Sequence, residues 1–178
     1  MTPQEQRKIR LQNDYQEMLN IKGNVVDWKV TKGSPPYVEA YELTVRVRTI
    51  IGKDPKYRSE HAISVELPAN YPSAPPQTHM RTKPQPFHPN WYSSGNWCYG
   101  SWDFSESLGH HVIRMIQTLQ FDLDITNPNS PANSEANRWY ESNQGKGLFP
   151  CDNTVLPDPT KKKKFEVVNK PRKKFQIK

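Results

Sequence analysis

The sequence predicts an α+β layer fold: one helix, then a four-stranded antiparallel meander, then further packing helices. Three observations predict it. A capping box opens the chain, successive stretches alternate apolar and polar residues with a period of two, and from Asp103 the apolar period lengthens to that of a helix.

Thr2-Pro3-Gln4-Glu5 combines a capping box with proline at the first helical position, and Leu11, Tyr15, Met18 and Leu19 then share one helical face. Gly23 is the expected stop. Val26, Trp28 and Val30 alternate with polar residues as a half-buried strand does. The next strand is clearer, with Tyr41, Leu43, Val45 and Val47 on one side and Glu42, Thr44, Arg46 and Arg48 on the other. Ile63, Val65 and Leu67 repeat the pattern, and a fourth short strand is expected around Thr78 to Arg81, beyond a proline-rich turn. Strands in sequence with short connections pair as an antiparallel meander.

From Asp103 onward Leu108, Val112, Ile116 and Leu119 form a helical stripe that Met115 widens, which predicts a helix packed on the sheet. Gly109 within it costs about 1 kcal/mol relative to alanine, so it marks either a close approach or an imperfect helix start. Beyond Tyr140, Gly145, Gly147, Pro150, Pro157 and Pro159 argue against another long helix.

At 178 residues the chain suits one domain with an extension. The expected organisation is a domain over residues 1–145, a connector with proline and glycine over 146–160, and a basic tail over 161–178. The tail holds nine Lys or Arg and one Glu, so its charge is +8, and the rest of the chain nets −1 of the total +7. The basic character therefore describes a tail and gives no argument that the domain binds nucleic acid. For the tail itself the readings are a solvated terminus, or contact with nucleic acid, an anionic membrane surface or an acidic partner face. Two cysteines, Cys98 and Cys151, are too few for a disulfide framework and point to a reducing compartment. The N-terminus lacks an apolar leader core and no run of eighteen apolar residues occurs, so a cytoplasmic location without a membrane span is expected.

Chemistry concentrates in His88-Pro89-Asn90, followed eight residues after the asparagine by Cys98. A thiolate is the strongest ordinary side-chain nucleophile, and an amide N–H can stabilise the oxyanion that forms when a thioester is attacked. With Leu67-Pro68-Ala69-Asn70-Tyr71-Pro72-Ser73-Ala74-Pro75-Pro76 upstream, and Trp102, Asn127-Pro128-Asn129-Ser130-Pro131 and Glu135-Ala136 with Tyr140 downstream, this stretch resembles the ubiquitin-conjugating enzyme family. The ordered landmarks span roughly residues 2 to 142.

The resemblance implies that Cys98 accepts a ubiquitin-like modifier as a thioester from an activating enzyme and passes it to an amine on a target protein, with no cofactor. It assigns Asn90 either to the oxyanion or to holding the active-site loop, and makes His88 and Pro89 a structural turn, with Trp102 and Asp124 as further loop support. Ser130 stands where many members carry an aspartate that orients or deprotonates the acceptor lysine. Lysine activation would then rest on desolvation, on a neighbour such as Asp124, or on a partner. Ser73, in place of a large apolar residue, and the short step from Cys98 to Trp102, without the usual serine-proline loop, depart from the pattern and leave room for transfer without a conventional ligase. Arg7, Lys8 and Arg10 on the first helix are the expected contacts for the activating enzyme. The trimmed C-terminal part resembles compact prokaryotic members, some of which act in anti-phage defence.

Other arrangements are weaker. His110 and His111 with His88 and Cys98 make a poor metal site, because adjacent helical histidines diverge and no Cys-x-x-Cys or His-x-x-x-His pair supports them. A cysteine–histidine hydrolase lacks its orienting third residue. Cys151, among turn formers, reads as an exposed thiol without a partner. The alternative function is a catalytically silent module on the same fold that binds ubiquitin-like proteins or peptides. Such relatives have lost the cysteine, whereas Cys98 and Asn90 are both present here.

Overall fold

A computed structural model describes residues 1–162. The order is α1 (Pro3–Ile21), β1 (Val26–Ser34), β2 (Tyr37–Val45), β3 (Thr49–Gly52), β4 (Lys56–Arg58), β5 (His61–Glu66), β6 (Gln77–Met80), α2 (Leu108–Leu119) and α3 (Ser134–Ser142). The fold is α+β, as the pattern predicts. The capping box forms, with Glu5 N donating to the Thr2 side chain. Helix α1 stops at Ile21 with Lys22 as an extended cap, one residue before Gly23.

The main sheet runs β1-β2-β5-β6, all antiparallel. Its register places Trp28, Leu43, Ile63 and Met80 in one row across the four strands. Leu43, Ile63 and Met80 are fully buried, each stabilising the fold by about 1.5–3 kcal/mol through burial. Two details depart from the alternation pattern. A separate hairpin, β3–β4, interrupts the meander between its second and third strands, so that connection is longer than expected. Val47 is buried beyond the end of β2, because its alternation continues after the ladder has ended.

Helices α1 and α2 cover the sheet. Trp28 Nε1 donates to Met18 O at 2.8 Å, and the buried Asp14 carboxylate accepts from Tyr71 Oη (2.6 Å), Leu108 N (2.9 Å) and Arg10 Nε (2.9 Å). Asp14 thereby joins α1, the proline-rich turn and the first amide of α2, where negative charge meets the helix dipole favourably. Gly109 is a close approach: a Cβ there would lie 2.8 Å from both Glu17 Cβ and Pro159 Cβ.

Pro159 belongs to a stretch without helix or strand that runs back along the domain after α3. Asn20 Nδ2 donates to Pro159 O at 2.7 Å, Cys151 N donates to Gln120 O at 2.9 Å, and Arg48 N donates to the Asp152 carboxylate at 2.8 Å. Residues 149–160 thus make contacts along the domain. Cys151 is corrected accordingly: it is buried, in a cluster with Ile50, Phe121 and Tyr140, and burial pushes its thiol up to about 12. Of the basic tail, residues 163–178 lie outside the described residues.

Candidate active site

The segment after β6 is built on a buried turn. His88 is fully buried, accepts a hydrogen bond from Asn90 N at its Nδ1 (2.9 Å), and packs its ring 4.2 Å from that of Phe121. Burial pulls its pKa down to about 3, so at neutral pH it is an uncharged structural acceptor. Trp91 and Trp97 then pair as an antiparallel bridge, both buried. The pairing continues outward, with Cys98 N donating to Asn90 O at 2.9 Å and Tyr92 N to Asn96 O at 2.9 Å. Residues opposite one another in such a pair share a face, with Cβ atoms about 5 Å apart. Asn90 and Cys98 therefore project together.

The Asn90 side chain is engaged at both ends. Its Nδ2 donates to Asn127 O at 2.8 Å and its Oδ1 accepts from Asn127 N at 2.7 Å. This ties the Cys98 hairpin to the loop that carries Ser130. Asn90, Cys98, Asn127 and Ser130 line one cavity of about 160 Å³, together with Trp97 and Arg114. Cys98 is half-buried and Ser130 is exposed at the rim. Hydrogen bonding to Cys98 holds the exposed Tyr92 hydroxyl above its ordinary range.

The loop carrying Ser130 owes its position to the end of α2. Gln120 caps the helix, Phe121 N donates to Thr118 O, Asp122 N donates to Gln117 O, and Phe121 takes φ +55°. That is a Schellman ending with phenylalanine where glycine is usual, a strain of about 1–2 kcal/mol. The ring offsets it by burying completely against His88, Tyr140 and Phe149.

The remaining expected site residues separate into those near the cavity and those elsewhere. Asp124 is exposed, its amide donating to Asp122 Oδ1, and it does not line the cavity. Trp102 Nε1 donates to Pro72 O at 2.8 Å, fastening the chain after Cys98 to the proline-rich turn. On α1, Arg7 pairs with Glu39 at 2.8 Å, and Arg10 bonds Asp14 and the carbonyls of Phe104 and Glu106. Only Lys8 of the three basic residues is fully exposed. His110 and His111 diverge, one half-exposed near Glu17 and the other buried against Glu106. Among the described residues no three His, Cys, Asp or Glu side chains cluster as metal ligands, and no helix is long and apolar enough to cross a membrane.

Sequence reasoning passes over Arg114, Tyr92 and Ile125. Arg114 lies off the apolar stripe of α2 and reads as a solvated charge, while Tyr92 flanks the single Trp91–Trp97 bridge, which is too short to leave a pattern.

A family model described as ubiquitin-conjugating enzyme matches residues 10–147, a span that contains His88, Asn90, Cys98 and Ser130. Among curated proteins, the chain is similar to ubiquitin-conjugating enzyme E2 1 of Caenorhabditis elegans, 37% identical over 82 residues, which is 46% of this chain and 42% of that protein. It is also similar to ubiquitin-conjugating enzyme E2 2 of Mycosarcoma maydis, 36% identical over 74 residues, 42% of this chain and 39% of that protein. The matched stretch spans about two fifths of the length of these curated relatives.

Proposed function

Because the chain belongs to the ubiquitin-conjugating enzyme family, we propose that it carries a ubiquitin-like modifier as a thioester on Cys98 and transfers it to an amine of a target protein. The observation that carries this reading is the convergence of Cys98, Asn90 and Ser130 on one cavity, with Asn90 bonded to the backbone of Cys98.

In the first step the Cys98 sulfur attacks the carbonyl carbon of the activating enzyme's thioester. The new C–S bond forms, the old one breaks, and the activating enzyme's thiolate leaves. In the second step an amine nitrogen attacks the same carbon. The C–N bond forms, the Cys98 thiolate departs, and the amine proton passes to solvent or to that thiolate. A thioester is reactive enough toward amines that the protein's work is positioning and charge stabilisation, and the step consumes no cofactor.

Asn90 has one Nδ2 hydrogen engaged by Asn127 O and a second available to the oxyanion. Its loop-holding role is the one its hydrogen bonds support directly. Ser130 supplies a hydroxyl and no charge, so activation of the acceptor amine rests on desolvation against the Trp97 and Ile125 walls of the cavity. The activating enzyme docks on α1, where Lys8 is exposed and where a groove of about 520 Å³, lined by Arg7, Ser73 and the exposed Phe104, runs between the helix and the proline-rich turn. The basic tail serves an acidic partner face, with affinity that falls as salt rises.

The test is charging with a purified activating enzyme, ATP and ubiquitin or a ubiquitin-like protein. A reductant-sensitive adduct mapped to Cys98 by mass spectrometry supports the carrier role, whereas an adduct on Cys151 or none at all in folded protein contradicts it.

A further inference from the structure

Between Cys98 and α2 the chain forms no helix or strand, yet its two ends are gripped by arginines. At the near end Arg114 NH1 donates to Tyr99 O at 2.7 Å, the carbonyl of the residue that follows Cys98. The rest of that guanidinium forks onto Glu106, with Nε to Oε1 at 2.8 Å and NH2 to Oε2 at 3.0 Å, and it stacks 5.0 Å from the Trp97 ring centroid. At the far end Arg10, held by the buried Asp14, donates to Phe104 O and Glu106 O. Glu106 is shared by both grips: its backbone is held from α1, and its carboxylate, also bonded by His111 Nδ1 at 3.2 Å, braces Arg114.

Resting on the carrier role of Cys98, we infer that Arg114, braced by Glu106, is a positioning residue that fixes the Tyr99–Gly100 peptide, one residue beyond Cys98, and with it the segment that carries the thioester. Three features set this apart from ordinary packing. Arg114 lines the cavity that holds Cys98 and is partly exposed there, so it is placed at the site and not in the core. With Asn90 O holding Cys98 N at 2.9 Å and Arg114 holding Tyr99 O, the chain is anchored at the nucleophile and again one residue beyond it. The next residue, Gly100, has φ +83°, so the chain turns away immediately and carries no ladder of its own that would fix Tyr99 O. A planar fork is required, because lysine offers a point charge that reaches Tyr99 O or Glu106 but does not brace one against the other. Misplacement of a reacting group by an ångström lowers transfer on the order of a hundredfold.

The test compares the full chain with Arg114→Met, Arg114→Lys and Glu106→Gln in two measurements. The first is amide hydrogen exchange over residues 99–106. The second is discharge to free lysine after Cys98 has been acylated by an N-acetyl-glycyl-glycine thioester. Arg114→Met and Glu106→Gln should each raise exchange in that loop about tenfold while leaving β1 and β2 unchanged. Both should lower the maximal discharge rate about tenfold at an unchanged half-saturating lysine concentration, with Arg114→Lys intermediate. Unchanged loop exchange in Arg114→Met overturns the inference, and so does an equal rise in exchange throughout the domain. Failure of the wild-type chain to take the acyl group at Cys98 contradicts the carrier reading instead, and the exchange comparison still decides whether Arg114 holds the loop.

Discussion

Asn90 and Asn127 hold one another by two reciprocal hydrogen bonds, side-chain Nδ2 to backbone O at 2.8 Å and backbone N to side-chain Oδ1 at 2.7 Å. An asparagine amide matches a peptide group in this way because it presents one donor and one acceptor side by side. Asn90→Ala breaks both bonds and leaves the Asn127 backbone groups to find water. A loss of about 1–3 kcal/mol in unfolding free energy is expected, measured by denaturant titration, together with slower transfer. Slower transfer at wild-type stability would count against the loop-holding role and leave the oxyanion as the only explanation.

The two thiols differ sharply in setting. Cys98 is half-buried at the cavity, while Cys151 is buried and its thiol stays protonated until about pH 12. Iodoacetamide at pH 7.5 should therefore add one carbamidomethyl group to the native chain, at Cys98, and two after denaturation, as read by intact mass and peptide mapping. Comparable native labelling of Cys151 contradicts the packing of residues 149–160.

Acid should destabilise the domain through its buried histidines. Burial lowers His88 to about 3 and His61 to about 4, against about 6.5 in an unfolded chain. Between those values the unfolded chain binds protons that the native state excludes, so stability is full above pH 6.5 and falls as pH drops toward 3. Glu106, held at about 2 despite partial burial because His111 and Arg114 bond its carboxylate, adds a loss as pH falls below about 4.5. Melting temperature should decline from pH 6.5 to 4, and His88→Asn, which keeps an acceptor for Asn90 N, should flatten the decline. A variant curve parallel to wild type would rule out His88 as a contributor.

Phe121 sets ring burial against backbone strain. Phe121→Ala removes the ring and keeps a side chain at φ +55°, for a loss of about 3–5 kcal/mol. Phe121→Gly also removes the ring but relieves the left-handed strain, so it should be the more stable of the two by about 1 kcal/mol in denaturant unfolding. Glycine proving worse than alanine would mean that the turn is not strained.

The layer architecture is legible because burial imposes its period on the sequence: Trp28, Leu43 and Ile63 are spaced to fall in one row, and Leu108, Val112, Ile116 and Leu119 to form one stripe. Gly109 marks a real close approach. The β3–β4 hairpin escapes because Thr49–Gly52 and Lys56–Arg58 are too short to show a period. Cys98 and Asn90 stand out through their local motif. The partners of Arg7 and Arg10 do not, since a basic residue's destination depends on which carbonyls and carboxylates the fold brings near. Arg114 escapes for the same reason, its partners Tyr99 and Glu106 being fixed by a loop without regular structure. Cys151 looks exposed among turn formers, yet proline and glycine report backbone direction, not burial.

Whether Cys98 carries the modifier is decided by comparing wild type, Cys98→Ser and Cys98→Ala after incubation with activating enzyme, ATP and modifier, resolved on gels with and without reductant. Wild type should give a reductant-sensitive adduct, serine a reductant-resistant but hydroxide-labile ester, and alanine none. An adduct that persists in Cys98→Ala, or wild-type protein that is folded yet never charged by its cognate activating enzyme, contradicts the carrier role of Cys98.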